Sequence, residues 1–181
     1  MKRVILILIS LLLFIIDNTF MPFLAIKGVY PSLLIIFALS YSIINGYYEA
    51  ILIGVFAGLL QDIYFFNGFG INALSNMCIC LIGAKIGENI FKEKSFAPVI
   101  SIFILSILKG IIMFVILFTL NIRINYFNIP FVALYNMIIT IFVYKKIFNF
   151  SVKPYMKNSR NFWKSWVIIW KIKNKLIDTH P

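Results

Sequence analysis

The chain has 181 residues, of which 62% are hydrophobic and 13% are charged, and its formal net charge is +11. Ordinary soluble domains carry about a quarter of their residues as charged side chains, so this chain has too little polar surface to coat a water-soluble globule. The positive charge does not indicate a nucleic-acid surface, because it is concentrated at one end of the chain. From Lys145 onward there are nine basic residues and one acidic residue, a net charge of +8, and the remainder carries +3.

Long apolar runs recur along nearly the whole chain. A helix rises 1.5 Å per residue, so about 20 apolar residues cross the roughly 30 Å of hydrocarbon in a bilayer. Inside that hydrocarbon the backbone must satisfy its own hydrogen bonds, which only helices and closed barrels achieve. The alternating strands typical of a barrel are absent from the sequence. The sequence therefore predicts an all-α fold, a polytopic membrane helical bundle.

The first apolar stretch has two interpretations. Met1 is followed by the basic residues Lys2 and Arg3 and then by a mainly apolar stretch over residues 4–16, which is the form of a signal peptide. However, no Ala-x-Ala cleavage site follows, and the apolar stretch continues to Ala25. We interpret it as an uncleaved first membrane helix.

About six membrane spans are predicted, with turn-forming residues such as Asn45-Gly46 and Asn67-Gly68 at or near their ends. The proposed spans are 4–25, 31–45, 47–66, 71–91, 97–120 and 126–149. The second span is short and is joined tightly to the third, which leaves five spans as the alternative. We expect residues 1–150 to form one transmembrane domain and residues 151–181 a basic cytoplasmic tail.

The basic residues predict the orientation of the bundle. Cytoplasmic segments of membrane proteins carry an excess of Lys and Arg. With six spans, Lys2, Arg3, Lys92, Lys94 and the tail fall on one side, and Lys27 and Arg123 on the other. Both termini are therefore predicted to be cytoplasmic, whereas five spans would put one basic end outside. The external loops are then short, so a partner on that side must meet the helices within the membrane.

Gly54, Gly58 and Asp62 recur every four residues in the third span and so lie on one helix face. A Gly-x-x-x-Gly pair allows another helix to approach closely. The face is interpreted either as packing within the bundle or as a surface that also receives a partner helix.

Three ionisable residues, Asp17, Asp62 and Lys109, lie inside proposed spans. Each costs about 3 kcal/mol there unless it is paired or hydrated. They fall at a similar depth if spans one, three and five run in the same direction. We therefore expect Lys109 to be neutralised by Asp62, by Asp17 or by both. The alternatives are a charge at a span end that reaches the headgroups and a polar cluster at a binding face.

The sequence predicts neither an enzyme nor a cofactor or metal site. Its one histidine, His180, lies in the tail, so no intramembrane histidine can act as a base or a metal ligand. Asp62 lacks the Gly-x-Gly-Asp context of intramembrane aspartyl proteases. Cys78 and Cys80 point in nearly opposite directions on a helix, which is poor geometry for a disulfide or a shared metal, so we interpret them as small core residues.

The tail carries a second pattern, with aromatic and basic residues on opposite helical faces. The aromatic face holds Trp163, Trp166 and Trp170, and the basic face holds Lys164, Lys171 and Lys175. This pattern is typical of an amphipathic helix on the membrane surface, where anionic lipids attract lysines. A solvated, partly disordered tail is the alternative, and nucleic acid is not an expected partner.

Between residues 31 and 87 the sequence resembles the MreD family of rod shape-determining proteins. The resemblance rests on Pro31, on Gly46, on the run Gly54-Val55-Phe56-Ala57-Gly58-Leu59-Leu60-Gln61-Asp62, on Gly68-Phe69-Gly70-Ile71-Asn72-Ala73-Leu74, and on Gly83. Length, span number and a basic cytoplasmic end agree with it, so the resemblance extends over nearly the whole chain.

The resemblance implies a role in the assembly of a protein complex rather than a catalysed reaction. Members of this family are expected in the bacterial plasma membrane as non-catalytic partners of MreC, a protein with one transmembrane helix. Through MreC the complex would link cytoplasmic MreB filaments to the synthases that lengthen the cell wall. The alternative is a transporter subunit similar to the six-helix substrate-binding component of energy-coupling factor transporters, whose fold the family is thought to share.

Overall fold

The structure is a computed structural model that describes residues 2–26, 28–64, 70–90, 96–121 and 127–153. Within these ranges the chain forms six α-helices and one short 3-10 helix, Met21–Leu24. The helices are α1 (Lys2–Thr19), α2 (Leu33–Asn45), α3 (Tyr47–Tyr64), α4 (Ile71–Asn89), α5 (Phe96–Thr119) and α6 (Asn128–Val152). The predicted all-α class is confirmed.

The helices follow the proposed spans closely. They differ, however, in whether their length and composition are sufficient to cross a membrane. Helices α5 and α6 are both long and apolar enough to cross a membrane, and α2 is a shorter apolar helix. Helices α1, α3 and α4 have 18 to 19 residues and include charged or polar side chains. This all-helical fold is consistent with a helical membrane protein, and the number of spans stays a prediction.

The prediction of one helix over residues 4–25 is wrong at its far end. Helix α1 ends at Thr19, and the 3-10 helix that follows has Pro22 in its first turn. Proline has no backbone N–H to donate within a helix, so α1 cannot continue through this position. The chain then reverses in a turn where Ile26 and Val29 pair, with Gly28 at a φ of 78°.

A single residue joins α2 to α3. Gly46 has a φ of 87°, a conformation that residues with a Cβ rarely adopt, and its N–H donates to the Ser42 carbonyl at 2.9 Å. The predicted tight joint therefore forms between two antiparallel helices. The predicted domain boundary at residue 150 falls inside α6, which continues to Val152.

Helix α2 is the centre of the bundle. Nearly all of its residues are buried, and it lies against α1, α3, α4, α5 and α6. The other helices surround it in the order α1, α3, α4, α5, α6. This ring is open, because among the described residues no Cα atom of α1 lies within 8 Å of one in α5 or α6. We call this opening between α1 and α6 the seam.

The distribution of side chains fits a lipid environment. Large apolar side chains are exposed on the outside of the bundle, including Leu8 at 60%, Phe118 at 71% and Phe142 at 73%. Polar side chains such as Asn76 and Asn136 are instead buried between the helices. A water-soluble bundle would have the opposite arrangement, because it buries its apolar faces.

The bundle has two distinct ends. One end, which we call the capped end, holds the last described residues of α1, α3 and α5 and the first described residues of α2, α4 and α6. The opposite end, the terminal end, holds the ion pair between Lys2 and Glu49 at 2.8 Å and the hydrogen bond from Asn45 to Ser151 at 3.3 Å. Both ends of the transmembrane domain therefore lie together.

Candidate functional site

Asp17 connects α1 to the start of α2. Its carboxylate accepts hydrogen bonds from the N–H groups of Leu33 at 2.8 Å and Leu34 at 3.0 Å, and from the Ser32 hydroxyl at 2.8 Å. The first N–H groups of a helix have no partner within that helix. Asp17 therefore serves as a cap for α2 from a different helix, and its negative charge lies at the positive end of the α2 dipole.

Asp62 does the same for α4. Its two carboxylate oxygens accept from the N–H groups of Gly70 at 3.0 Å, Asn72 at 2.9 Å and Ala73 at 3.0 Å, and from the Asn72 side chain at 3.1 Å. Asp62 is 4% exposed, and a buried charge with this many charge-assisted hydrogen bonds is well satisfied. Both aspartates thus join one helix to the next at the capped end.

The predicted glycine face lies against α4. A Cβ on Gly54 would meet the Asn76 carbonyl oxygen and the Met77 Cα at 2.9 Å, and a Cβ on Gly58 would overlap the backbone of Ala73. Of the two interpretations of this face, the structure supports packing within the bundle. With Asp62, all three residues of the pattern contact α4, so that no partner helix can lie on this face while α4 occupies it.

Lys109 lies on α5 and donates a hydrogen bond to the Oε1 atom of Gln61 at 3.0 Å. The same oxygen accepts from the Asn76 side chain at 2.9 Å. No carboxylate oxygen of the described residues lies within 4 Å of the Lys109 ammonium. The expected direct ion pair with Asp62 or Asp17 is therefore not formed among these residues, because both carboxylates are bonded to helix N-termini. They act on Lys109 only at longer range.

Lys109 lines a cavity of about 410 Å³ at the capped end. Of the three predicted charges, Asp17 and Lys109 contribute to its wall, and Asp62 does not. The polar part of the wall also includes Gln61, Ser106 and Asn136. Ligand-binding cavities in proteins are typically about 300 to 1,000 Å³ and are mainly apolar with a few polar groups, and this cavity has those properties.

Hydrogen bonds order the polar wall. The Asn136 Oδ1 accepts from the Ser32 N–H at 3.1 Å, and its Nδ2 donates to the Ser106 hydroxyl at 3.4 Å. Asn136 thereby links α2, α5 and α6 at the cavity. The sequence analysis did not select Asn136, Ser106, Gln61 or Asn76. Uncharged polar residues within apolar spans were the available signal, because such residues usually face other helices.

The remaining predicted sites do not join this cavity. The tail residues Trp163, Lys164, Trp166, Trp170, Lys171 and Lys175 lie outside the described residues. Cys78 and Cys80 are free thiols, of which Cys80 is buried. The burial of Cys80 agrees with its interpretation as a small core residue, whereas Cys78 is half-buried.

The comparison with protein families links the whole transmembrane part of the chain to one family. The model of the family described as rod shape-determining protein MreD matches residues 1–153. No curated protein and no solved structure matches the chain. The family match covers all six helices, and includes both capping aspartates and Lys109. The chain therefore belongs to the MreD family, a non-enzymatic family with a role in rod shape determination.

Proposed function

We propose that the chain is a non-catalytic membrane scaffold of the bacterial cell-wall elongation machinery, which binds MreC within the membrane. The family match is the observation that carries this proposal. The segments between consecutive α-helices are short in sequence, 13 residues or fewer, whereas large apolar side chains cover the described helix faces. A partner with a single transmembrane helix is suited to such a surface.

The seam is the part of the ring that favours a partner helix. The glycine face of α3 is filled by α4, and each helix from α3 to α5 already has ring neighbours on both sides. Only α1 and α6 have an unfilled side, and both present exposed apolar residues such as Leu8 and Phe142. Helices associate in lipid mainly through close van der Waals packing, so we expect the MreC helix to lie against α1 and α6.

Photo-crosslinking in cells tests this surface. The photoreactive residue p-benzoylphenylalanine would replace Leu8 on α1, Phe142 on α6 or Ile82 on α4. Ile82 is the matched control, because it is also exposed but lies on the side of the ring opposite the seam. Crosslinks to MreC are expected from the first two positions and not from the third. Equal crosslinking from all three, or crosslinking from Ile82 alone, would contradict the proposed surface.

The rest of the complex follows from the proposed partner. In this proposal MreC connects the chain to wall synthases and, indirectly, to MreB filaments. The protein is a multi-pass protein of the plasma membrane, with both termini and the basic tail in the cytoplasm. Membrane lipids are the expected partners of that tail.

The cavity favours a second candidate function, a substrate-binding subunit of an energy-coupling factor transporter. Such a subunit needs a cavity with converging polar groups, which the wall around Lys109 and Asn136 offers. Purification in mild detergent discriminates between the two functions. MreC and wall synthases should accompany a scaffold, whereas a pair of ATPases with a transmembrane coupling subunit should accompany a transporter.

A further inference from the structure

The Lys109 ammonium has binding capacity that its protein contacts do not use. An ammonium group has three N–H donors, and among the described residues Lys109 donates only to Gln61. Lys109 is partly buried in an apolar helix, where a charged group needs an anion or water. Lys109, whose remaining N–H donors have no partner among the described residues, is one of the residues that line the cavity.

The acidic residue of the cavity wall and the Asn136 amide already have protein partners. Asp17 is the one acidic residue in the described wall, and its oxygens are bonded to two N–H groups and one hydroxyl at the start of α2. Asn136 bonds to Ser32 and Ser106. Since Lys109 is the one basic residue in that wall, it is the group available to an incoming anion.

Most of the remaining wall is apolar. Its apolar side chains include Phe14, Ile35, Met113, Phe114, Ile129 and Val132. Phe14 belongs to α1 and both Ile129 and Val132 belong to α6, so the cavity lies behind the seam. Among the described residues no Cα atom of α1 lies within 8 Å of one in α6, and the Tyr135 hydroxyl of α6 donates to the carbonyl of Leu24, just after α1, at 3.0 Å.

We propose that the cavity binds the anionic headgroup of a membrane amphiphile, a phosphate or a carboxylate, with Lys109 as its charged contact. The apolar side chains surround the first part of the hydrocarbon chain, and the rest of the chain passes through the seam into the bilayer. This site lies inside the bundle, whereas the proposed MreC surface is on the outer faces of α1 and α6. The two are therefore separate proposals.

Binding to the full chain in a maltoside detergent, which has no anionic group, tests the site. The probes are dihexanoyl phosphatidic acid, decanoate, inorganic phosphate and the uncharged dihexanoylglycerol, each titrated by calorimetry. The two anionic amphiphiles should bind saturably, and dihexanoylglycerol at least about tenfold more weakly, because a charge-assisted hydrogen bond contributes about 1.5 to 3 kcal/mol.

Variants identify the residue. Lys109→Gln should weaken binding of phosphatidic acid at least about tenfold, whereas Lys85→Gln, an exposed lysine of α4 outside the cavity, should leave it unchanged. Val132→Trp should also weaken binding, because it fills the cavity without changing its charge. The proposal is overturned if no anionic amphiphile binds saturably, if Lys109→Gln binds as well as the wild type, or if inorganic phosphate binds as tightly as phosphatidic acid.

A measurement on the unaltered protein does not depend on the folding of any variant. Phosphatidic acid should slow the modification of Lys109 by an amine-reactive reagent, followed by mass spectrometry, while the modification of Lys85 keeps its rate. An unchanged rate at Lys109 under saturating phosphatidic acid would overturn the proposal.

Discussion

At the residue scale, the two intramembrane aspartates act as helix caps that come from a neighbouring helix. A helix start in hydrocarbon has N–H groups that water cannot reach, and each unsatisfied group costs several kcal/mol. Asp17 and Asp62 remove this cost for α2 and α4. The same bonds explain why neither carboxylate pairs directly with Lys109, since a carboxylate has only a limited number of acceptor positions.

Asp62→Ala should destabilise the protein by about 2 kcal/mol, because it leaves buried N–H groups of α4 without an acceptor. Glu88→Ala is the matched control, since Glu88 is an exposed acid of α4 that, among the described residues, accepts one hydrogen bond, from the Tyr47 hydroxyl at 3.2 Å. Thermal unfolding in detergent measures both variants. Equal melting temperatures for the two variants would mean that the cap contributes no stability.

Double-mutant cycles separate the contacts of Lys109. Lys109→Met and Gln61→Leu should show a coupling energy of about 1 kcal/mol, because the two side chains are hydrogen-bonded. The cycles of Lys109→Met with Asp62→Asn and with Asp17→Asn should be additive within about 0.5 kcal/mol. A larger coupling to either aspartate than to Gln61 would restore the direct ion pair that the sequence predicts.

At the element scale, the bundle depends on close approach between neighbouring helices rather than on apolar burial. Gly54 and Gly58 bring α3 against the α4 backbone, and Gly87 brings α4 against the Ile43 carbonyl of α2. Gly110 of α5 similarly lies against Ile129 of α6. In lipid, apolar side chains gain little by moving from tails to protein, so close packing and hydrogen bonds hold helices together.

Gly58→Ala should lower the melting temperature of the isolated protein, and Gly58→Leu should lower it further, because even a Cβ would overlap the Ala73 backbone. Overpacking of this kind costs about 1 to 3 kcal/mol. Leu52→Phe adds volume on the same helix at a position that is 41% exposed and should have no such effect. If Gly58→Leu melts at the wild-type temperature, the α3–α4 contact is not as close as described.

The tail element stays a prediction, because it lies outside the described residues. A peptide of residues 162–176 should become helical on anionic vesicles and shift its tryptophan emission to shorter wavelength. High salt should reduce the effect, since it screens exposed charges. A peptide with Lys164, Lys171 and Lys175 replaced by Gln is the control and should bind more weakly. The absence of any shift at low salt would exclude a membrane-surface helix.

At the scale of the whole molecule, the fold is an open ring around a short buried helix. Helix α2 has 13 residues, so at 1.5 Å per residue it is about 20 Å long, shorter than the roughly 30 Å hydrocarbon core. Its position at the centre of the ring means that protein rather than lipid surrounds most of its length. In the two proposals above, the opening at the seam is both the surface for a partner helix and the path of a bound hydrocarbon chain.

Cysteine labelling should give the orientation of the bundle in cells. The labelled cysteine is introduced as Ile26→Cys in a Cys78→Ser, Cys80→Ala background. Ile26 lies at the capped end, and its side chain is 64% exposed. A membrane-impermeant maleimide should label it in intact cells, and should label Lys153→Cys, at the terminal end, only after permeabilisation. This result follows from cytoplasmic termini, and the reverse labelling would place the termini outside.

The sequence by itself determined the environment and the elements. Its apolar runs, interrupted by residues such as Gly46 and Gly68, are local properties, and they predict helices and most of their ends because hydrocarbon leaves the backbone few alternatives. The glycine spacing on α3 likewise indicated a close contact. The all-α class and the family resemblance both followed from such local patterns.

Only the tertiary structure decided which groups meet. Asp17, Asp62 and Lys109 share a depth in the sequence analysis, and opposite charges at one depth favour an ion pair. The relative rotation of α1, α3 and α5 decides instead that the carboxylates reach the starts of α2 and α4, and that Lys109 reaches Gln61. Spacing along one helix gives the face of a residue but not the neighbour on that face. The cavity and the seam depend on all six helices together, and no local pattern determines them.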